Sequence, residues 1–299
     1  MIVDASGPQR VNGREIGWSI GAFNVRVRTN LSRLRDSAAF IYGRHPGTGT
    51  GTFVDFPVRV DGMDMGPRRI FRPRVTFQIG EQKPLYPAPR RHAPLLLESG
   101  INWAIGTEMH GYLLLHAAVV ARGDQAAVLP APSGSGKSTL AAGLMASGWR
   151  LLADEFAVID PATGYVHPCL KAVSLKEAAI QLIGDRLPGE VLPEVYHTIR
   201  GRIGLLRPSA ASAQAIHTPA RIRWVISPQF AAGQALAVQR VPRCEAFITM
   251  ASNTFNYNVL ERRGFHALAD AMSQADTYVL SHGDLDAAIA AVDRIAADG

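Results

Sequence analysis

Residues Ala131 to Ser138 follow the spacing G-x-x-x-x-G-K-[ST] at every position except the first, where Ala131 replaces glycine. Glycines at 134 and 136 let backbone N–H groups converge on an anion, and a helix starting near Lys137 offers its positive end to that anion. Lys137 supplies a point charge suited to the β- and γ-phosphates of a nucleotide, and the Ser138 hydroxyl is a ligand for Mg²⁺. Pro132 removes one donor, but the inner glycines and the Lys137-Ser138 pair are intact. Ser133, Gly134, Ser135, Gly136, Lys137, Ser138 and Thr139 are therefore the expected contacts to ATP. A ligand-free glycine-rich turn would not account for a strand before the loop and a helix after it.

Asp154 and Glu155 stand seventeen and eighteen residues beyond Lys137, closing the short apolar stretch Trp149 to Ala153. Acids at that strand end reach the metal–phosphate region from the side opposite the lysine. One can hold Mg²⁺ through water while the other takes the proton of an attacking hydroxyl. A helix N-cap or a solvated turn would use the same residue types.

These groups need a scaffold, and the surrounding pattern supplies one. Tyr112 to Val120 and Gln125 to Leu129 read as strands joined by a hairpin at Ala121-Arg122-Gly123-Asp124. Ser138 to Ser147 has helix composition ending at Gly148, and Trp149 to Ala153 reads as the next strand. Strand, phosphate loop, helix, and strand ending in acid form the core of an α/β nucleotide-binding domain. Ile222 to Ile226 and Ala235 to Val241 read as further strands. Leu285, Ile289, Val292 and Ile295 predict a helix over Leu285 to Ala297. Before residue 95 the chain reads as strands and turns. Phe23 to Arg28 and Val58 to Val60 alternate with period two, and His45 to Gly51 and Asp61-Gly62 are turn formers. Pro84 to Pro94, with four prolines, reads as a linker. The expectation is a β-rich segment over 1–95 followed by the nucleotide-binding domain over 96–299.

Bulk composition narrows the classes. Of 299 residues, 47% are hydrophobic and 19% charged, as in a chain that buries a sizeable core. No run of eighteen apolar residues predicts a membrane span. Met1 to Gly13 lacks the pattern of a secretory leader, and the two cysteines, Cys169 and Cys244, are too few for a disulfide framework. A cytoplasmic location is expected. The net charge of +6 is uneven: residues 1–100 hold 15 Lys/Arg against 8 Asp/Glu. Such a field can steer an acidic partner, although 27 of the 31 basic residues are arginine in an alanine-rich chain, which also suits a GC-rich genome. No basic stripe interleaved with aromatics points to nucleic acid.

The spacing of these groups resembles that of HPr kinase/phosphorylase, a bacterial protein-serine kinase. In that family a histidine lies fifteen residues before the first position of the phosphate loop, and an acidic pair lies seventeen and eighteen residues after the loop lysine. His116 and Asp154-Glu155 hold those positions here. Leu113 to Val120 and Gly148 to Glu155 look closer still to the branch called HPr-related kinase A, which sits beside a small PqqD-type peptide chaperone and a nucleotidyltransferase. The likeness is strong over residues 100–185 and fainter through Ser252 to Asn256 and Arg263 to Phe265. It implies a P-loop kinase domain of the HPr kinase C-terminal type, with His116 beside the phosphates, a general base or acid at Glu155 and metal work for Ser138. It also implies a catalytic arginine near the start of a later strand, for which Arg221 and Arg223 are the candidates. Taken alone, His116 would more often read as a satisfied core histidine; the matched spacing sets an active-site role level with that reading.

The chain also departs from that family. The family's further metal-binding glutamate falls on Leu170, and its glycine-rich signature is missing between His167 and Gly184. Lys171 and Lys176 occupy the segment instead, as candidates for a substrate phosphate or as surface lysines. Metal binding is thus expected from Ser138, Asp154 and Glu155, and reverse dephosphorylation is in doubt. The expectation is an ATP- and Mg²⁺-dependent kinase acting on a hydroxyl, first a serine of a peptide or small protein such as a PqqD-type chaperone. A small-molecule kinase and a non-catalytic ATP-binding scaffold are the other readings. Relatives of this kind often form homo-oligomers. If the loop is a phosphate cradle, Lys137→Ala should keep a native circular dichroism spectrum and lose on the order of 3 kcal/mol or more of transition-state stabilisation, read as phosphoryl-transfer rate. Wild-type turnover in that variant would refute the assignment.

Overall fold

The structure is a computed structural model that describes residues 7–12, 14–63, 73–132, 134–199 and 201–298. It is a mixed α/β architecture with three sheets. Ser133 lies outside the described residues.

The first sheet has the order β1 (Gln9–Asn12), β2 (Glu15–Ser19), β3 (Asn24–Arg28), β4 (Phe56–Gly62), β5 (Arg74–Ile79), β6 (Ala88–Pro89). Its period-two pattern works as the sequence suggests: Val25 and Val27 of β3, and Phe56, Val58 and Val60 of β4, point into the core. Arg28 and Arg59 take the outward positions, which accounts physically for part of the basic surplus of this segment. One element there is unforeseen. Helix α1 (Ser32–Tyr42) buries Leu34, Ala38, Ile41 and Tyr42, a helical spacing, and carries the crossover that makes β3 and β4 parallel.

The proline-rich stretch 84–94 is not a loose connection. Ala88 pairs with Val75, Arg90–His92 form a 3-10 turn, and helix α2 (Ala93–Glu108) begins at once. Helix α2 lies against β5 so closely that Gly100 faces the Phe77 ring with no room for a Cβ. One continuous hydrophobic core runs from Trp18, Val25 and Phe56 through Leu97 and Ile101 of α2 to Leu113, Leu115 and Val119 of the second sheet.

That second sheet positions the site. Its order is β11 (Tyr165–His167), β10 (Phe156–Ile159), β7 (Leu113–Arg122), β8 (Gln125–Pro130), β15 (Ala220–Phe230), β17 (Asp276–His282) and β16 (Ala237–Arg240), with β9 (Arg150–Ala153) also beside β7. β7 and β8 form the expected antiparallel hairpin, turning at Gly123 with φ 60°. β8, β15 and β17 are mutually parallel, so Pro130, Phe230 and His282 end at one edge. β9 runs antiparallel to β7 and hence in the same sense as β8, which delivers Asp154 to that edge too. The strand does not stop at the acids: it breaks over Asp154-Glu155 and resumes as β10.

Helices cover both faces. Ala118 and Val120 of β7 pack with α3 (Lys137–Ala146) and α8 (Leu285–Asp298). Leu113, Leu115, Ala117 and Val119 face the other core, which includes Met250 of α6 (Arg243–Ser252) and Leu268 of α7 (Tyr257–Met272). A third sheet, β12 (Val173–Lys176), β14 (Gly201–Leu206) and β13 (Tyr196–Thr198), flanks α4 (Ala178–Arg186).

A buried ion pair ties the two main sheets together behind the acids. Lys171 Nζ lies 3.1 Å from Glu98 Oε2 and 2.5 Å from Asn102 Oδ1, both on α2, and the Tyr42 hydroxyl donates to Glu98 Oε1. Against that charge, burial and the Glu98 carboxylate hold the Tyr42 phenol well above its ordinary range. Removing one partner of such a pair strands the other. Lys171→Met should cost on the order of 3–5 kcal/mol in urea unfolding, and Glu98→Leu in the same chain should recover most of it.

Candidate active site

The loop between β8 and α3 is shaped by two left-handed glycines, Gly134 with φ 94° and Gly136 with φ 86°. Ser135 closes a tight turn by donating its hydroxyl to the Pro132 carbonyl at 2.8 Å. A side chain at Gly136 would meet the Phe230 Cβ at 2.9 Å, so its glycine is required by space as well as by φ. Helix α3 then starts at Lys137, as the spacing predicts, with its N-terminal N–H groups facing the loop.

His116 reaches this loop by strand parity. It shares the face of Ala118 and Val120, the face covered by α3. Its main-chain N–H donates to the Asn253 carbonyl at 2.7 Å, and Leu114 N–H donates to Asn256 Oδ1 at 3.0 Å, which fixes the strand against the start of α7. The ring tilts against Phe255 with centroids 5.9 Å apart. Its Nε2 lies 2.9 Å from Lys137 Nζ and 3.1 Å from Glu155 Oε2. One nitrogen cannot serve both at once: as a lone pair it accepts from the ammonium, as N–H it donates to the carboxylate.

The acids differ in environment. Asp154 is 3% exposed, accepts from Ser174 N–H at 3.3 Å and is hydrogen-bonded to Ser138. Its Oδ1 is buried with no hydrogen-bond partner among the described residues. Burial, then repulsion from Glu155, push its carboxyl up to about 6. Glu155 lines the main cavity instead. Burial alone would raise it, but the His116 hydrogen bond and the charge of Lys137 outweigh that and hold it below its ordinary value. Burial lowers the Lys137 ammonium, while Glu155 and Asp154 pull it back up and Lys176 adds repulsion.

His116, Lys137, Ser138, Glu155, Lys176 and His282, but not Asp154, line a cavity of about 690 Å³. A narrow second cavity behind it joins Asp154 to Glu98 and Lys171. Ser138 and the unpartnered Asp154 Oδ1 are two hard oxygens of the kind that Mg²⁺ takes as ligands. No group of three or more His, Cys, Asp or Glu able to hold a metal occurs among the described residues.

Not every expected residue comes to this edge. Arg221 and Arg223 sit at the opposite end of β15, where Arg221 pairs in register with Gln125 at the start of β8. Five residues at about 3.3 Å each put Arg221 roughly 17 Å from Pro130 along the strand direction, and Arg223, one residue before the Trp224–Ala127 pair, roughly 12 Å. Arg221 stacks on Tyr165 and donates to its hydroxyl, and Arg223 pairs with Asp276 at 2.6 Å. Lys171 is committed to Glu98, whereas Lys176 lines the cavity. Phe230, His282 and Phe255 were missed. For His282 a signal existed: Tyr278 to Ser281 is a strand that meets a helix through His282-Gly283-Asp284, another strand–polar/glycine–helix junction.

No protein-family model matches this chain, and no curated protein is significantly similar to it.

Asp154 also makes stability depend on pH. A carboxyl at about 6 when folded and near 3.8 when unfolded is protonated longer in the folded state. Between those values the folded state binds more protons, so stability falls as pH rises through 4–6 and levels off above. In metal- and nucleotide-free buffer, Asp154→Asn should therefore stabilise the protein at pH 8 by up to about 3 kcal/mol. The gain should vanish below about pH 4. Equal denaturation midpoints for the two proteins across pH 4–8 would contradict this.

Proposed function

We propose that this protein is an ATP- and Mg²⁺-dependent kinase of the HPr kinase-like, P-loop type that transfers the γ-phosphoryl group to a hydroxyl. The observation that carries the reading is the single His116 nitrogen lying between Lys137, at the mouth of the phosphate loop, and Glu155, on the cavity wall. A lysine parked on a histidine lone pair is held for an anion. When its ammonium turns to phosphate oxygens, the neutral His116 ring is free to exchange its proton from Nδ1 to Nε2 through solvent and donate to Glu155.

The residues then divide the work by access. Loop N–H groups from Gly134 onward and the start of α3 hold the phosphates, with Lys137 on the β/γ oxygens. Ser138 and Asp154 would hold Mg²⁺, which supplies charge neutralisation across the β- and γ-phosphates when bound. Glu155, ionised and facing the cavity, accepts the proton of the attacking hydroxyl, and His116 orients it. Asp154 has the higher proton affinity but is enclosed, so position rather than pKa decides which acid is the base.

The first acceptor to test is a serine in a peptide or small protein, a PqqD-type chaperone included. Lys176 and the half-exposed Phe255 beside His116 give the cavity one basic and one apolar neighbour suited to a polypeptide. The test is incubation with γ-labelled ATP, Mg²⁺ and panels of peptides, small proteins and small alcohols, followed by intact mass. Glu155→Gln should lower transfer about 100-fold or more while ATP affinity changes only a few-fold. Transfer to alcohols alone would assign a small-molecule kinase. ATP binding without acceptor-dependent ADP release would leave a nucleotide-responsive scaffold.

A further inference from the structure

We infer that His282 is a ribose-recognition residue, its Nε2 accepting a hydrogen bond from a ribose hydroxyl of the bound nucleoside triphosphate; this rests on the nucleotide reading above. β17 ends at His282 in register with Phe230 of β15, and the two rings pack with centroids 5.5 Å apart. Both line the cavity that holds Lys137 and Ser138. Outside the carboxyl ends of parallel strands is where ligands of open α/β sheets bind.

The tautomer follows from the backbone. His282 Nδ1 lies 3.1 Å from the Asp284 carbonyl oxygen, which can only accept, so Nδ1 carries the proton. Nε2 is left as a lone pair. His282 is 3% exposed, and its Nε2 is buried with no hydrogen-bond partner among the described residues. A buried acceptor left unmatched is costly, and the nitrogen calls for a donor. Phosphate oxygens near neutral pH are acceptors, so the phosphates themselves do not satisfy it.

Position selects the donor. A Cβ built on Gly136 would lie 3.9 Å from Nε2, so the imidazole sits against the last glycine of the loop, next to the start of α3. With the phosphates held by the loop and α3, the group bonded to the α-phosphate is the ribose, and its hydroxyls are the nearest donors a nucleotide offers. The same cavity is lined by Leu182 and Leu285 beside Arg186 and Asp286, apolar and polar surface that a base can use. Burial also lowers the His282 pKa, which keeps the ring neutral and the lone pair available.

The experiment is calorimetric titration of the full chain with ATP, 2′,3′-dideoxy-ATP and inorganic tripolyphosphate, each with Mg²⁺. Wild type should bind ATP roughly tenfold more tightly than the dideoxy analogue. His282→Phe, which keeps a ring but no acceptor, should bind ATP and dideoxy-ATP equally, with tripolyphosphate affinity unchanged. A second readout needs no variant: the ¹⁵N resonance of His282 Nε2 should shift with ATP but not with the dideoxy analogue or tripolyphosphate. Equal wild-type affinity for ATP and dideoxy-ATP overturns the inference and leaves the kinase reading standing, as does discrimination that persists in His282→Phe. Failure of all three ligands to bind wild type, or binding indifferent to Lys137→Ala, overturns the nucleotide reading and this inference with it.

Discussion

An ammonium and a carboxyl group withdrawn from water beside a second carboxylate on the cavity wall must be matched to each other, because an uncompensated buried charge costs several kcal/mol. Lys137, Asp154 and Glu155 meet that constraint only jointly, and His116 is the adaptable member between them. Its single nitrogen can take an ammonium proton or give its own to a carboxylate. The arrangement balances without a ligand while keeping Lys137 at the loop mouth and Glu155 on the cavity wall. Asp154 bears the remaining mismatch, an unpartnered oxygen and a raised proton affinity.

That cluster depends on sheet topology. Three parallel strands and the interrupted β9–β10 strand deliver the glycine-rich loop, Phe230, His282 and the acids to one edge, although these segments are far apart in sequence. The edge is braced from behind. Helix α2 belongs to the N-terminal layer, yet its Glu98 pairs with Lys171 next to the cavity that contains Asp154. The basic N-terminal layer thus shares a core with the sheet that carries the site, and several of its arginines are simply the outward half of alternating strands.

Much of the candidate site was readable because a tight strand–loop–helix junction demands rare residue types at short range. A left-handed turn needs Gly134 and Gly136, the helix start needs to follow them, and Lys137-Ser138 must sit on its first turn; these are local constraints that the linear pattern states outright. The β7–β8 hairpin and α8 were legible for the same reason. Helices α1 and α2 were obscured by the turn formers and prolines beside them, although Leu34, Ala38, Ile41 and Tyr42 already had helical spacing.

What lies across the cavity was not legible. The sequence by itself determined the loop, its lysine and the acid-ended strand, since each follows from backbone geometry within about twenty residues. Only the tertiary structure decided which distant groups join them. Strand parity turned His116 toward Lys137 and not into the opposite core, and parallel pairing with β15 brought His282 to Gly136. Strand direction also put Arg221 and Arg223 at the far end of β15, engaged with Tyr165 and Asp276. Parity and direction depend on sheet register between segments roughly 50 to 100 residues apart, a property of hydrogen-bonded pairing that no local pattern encodes.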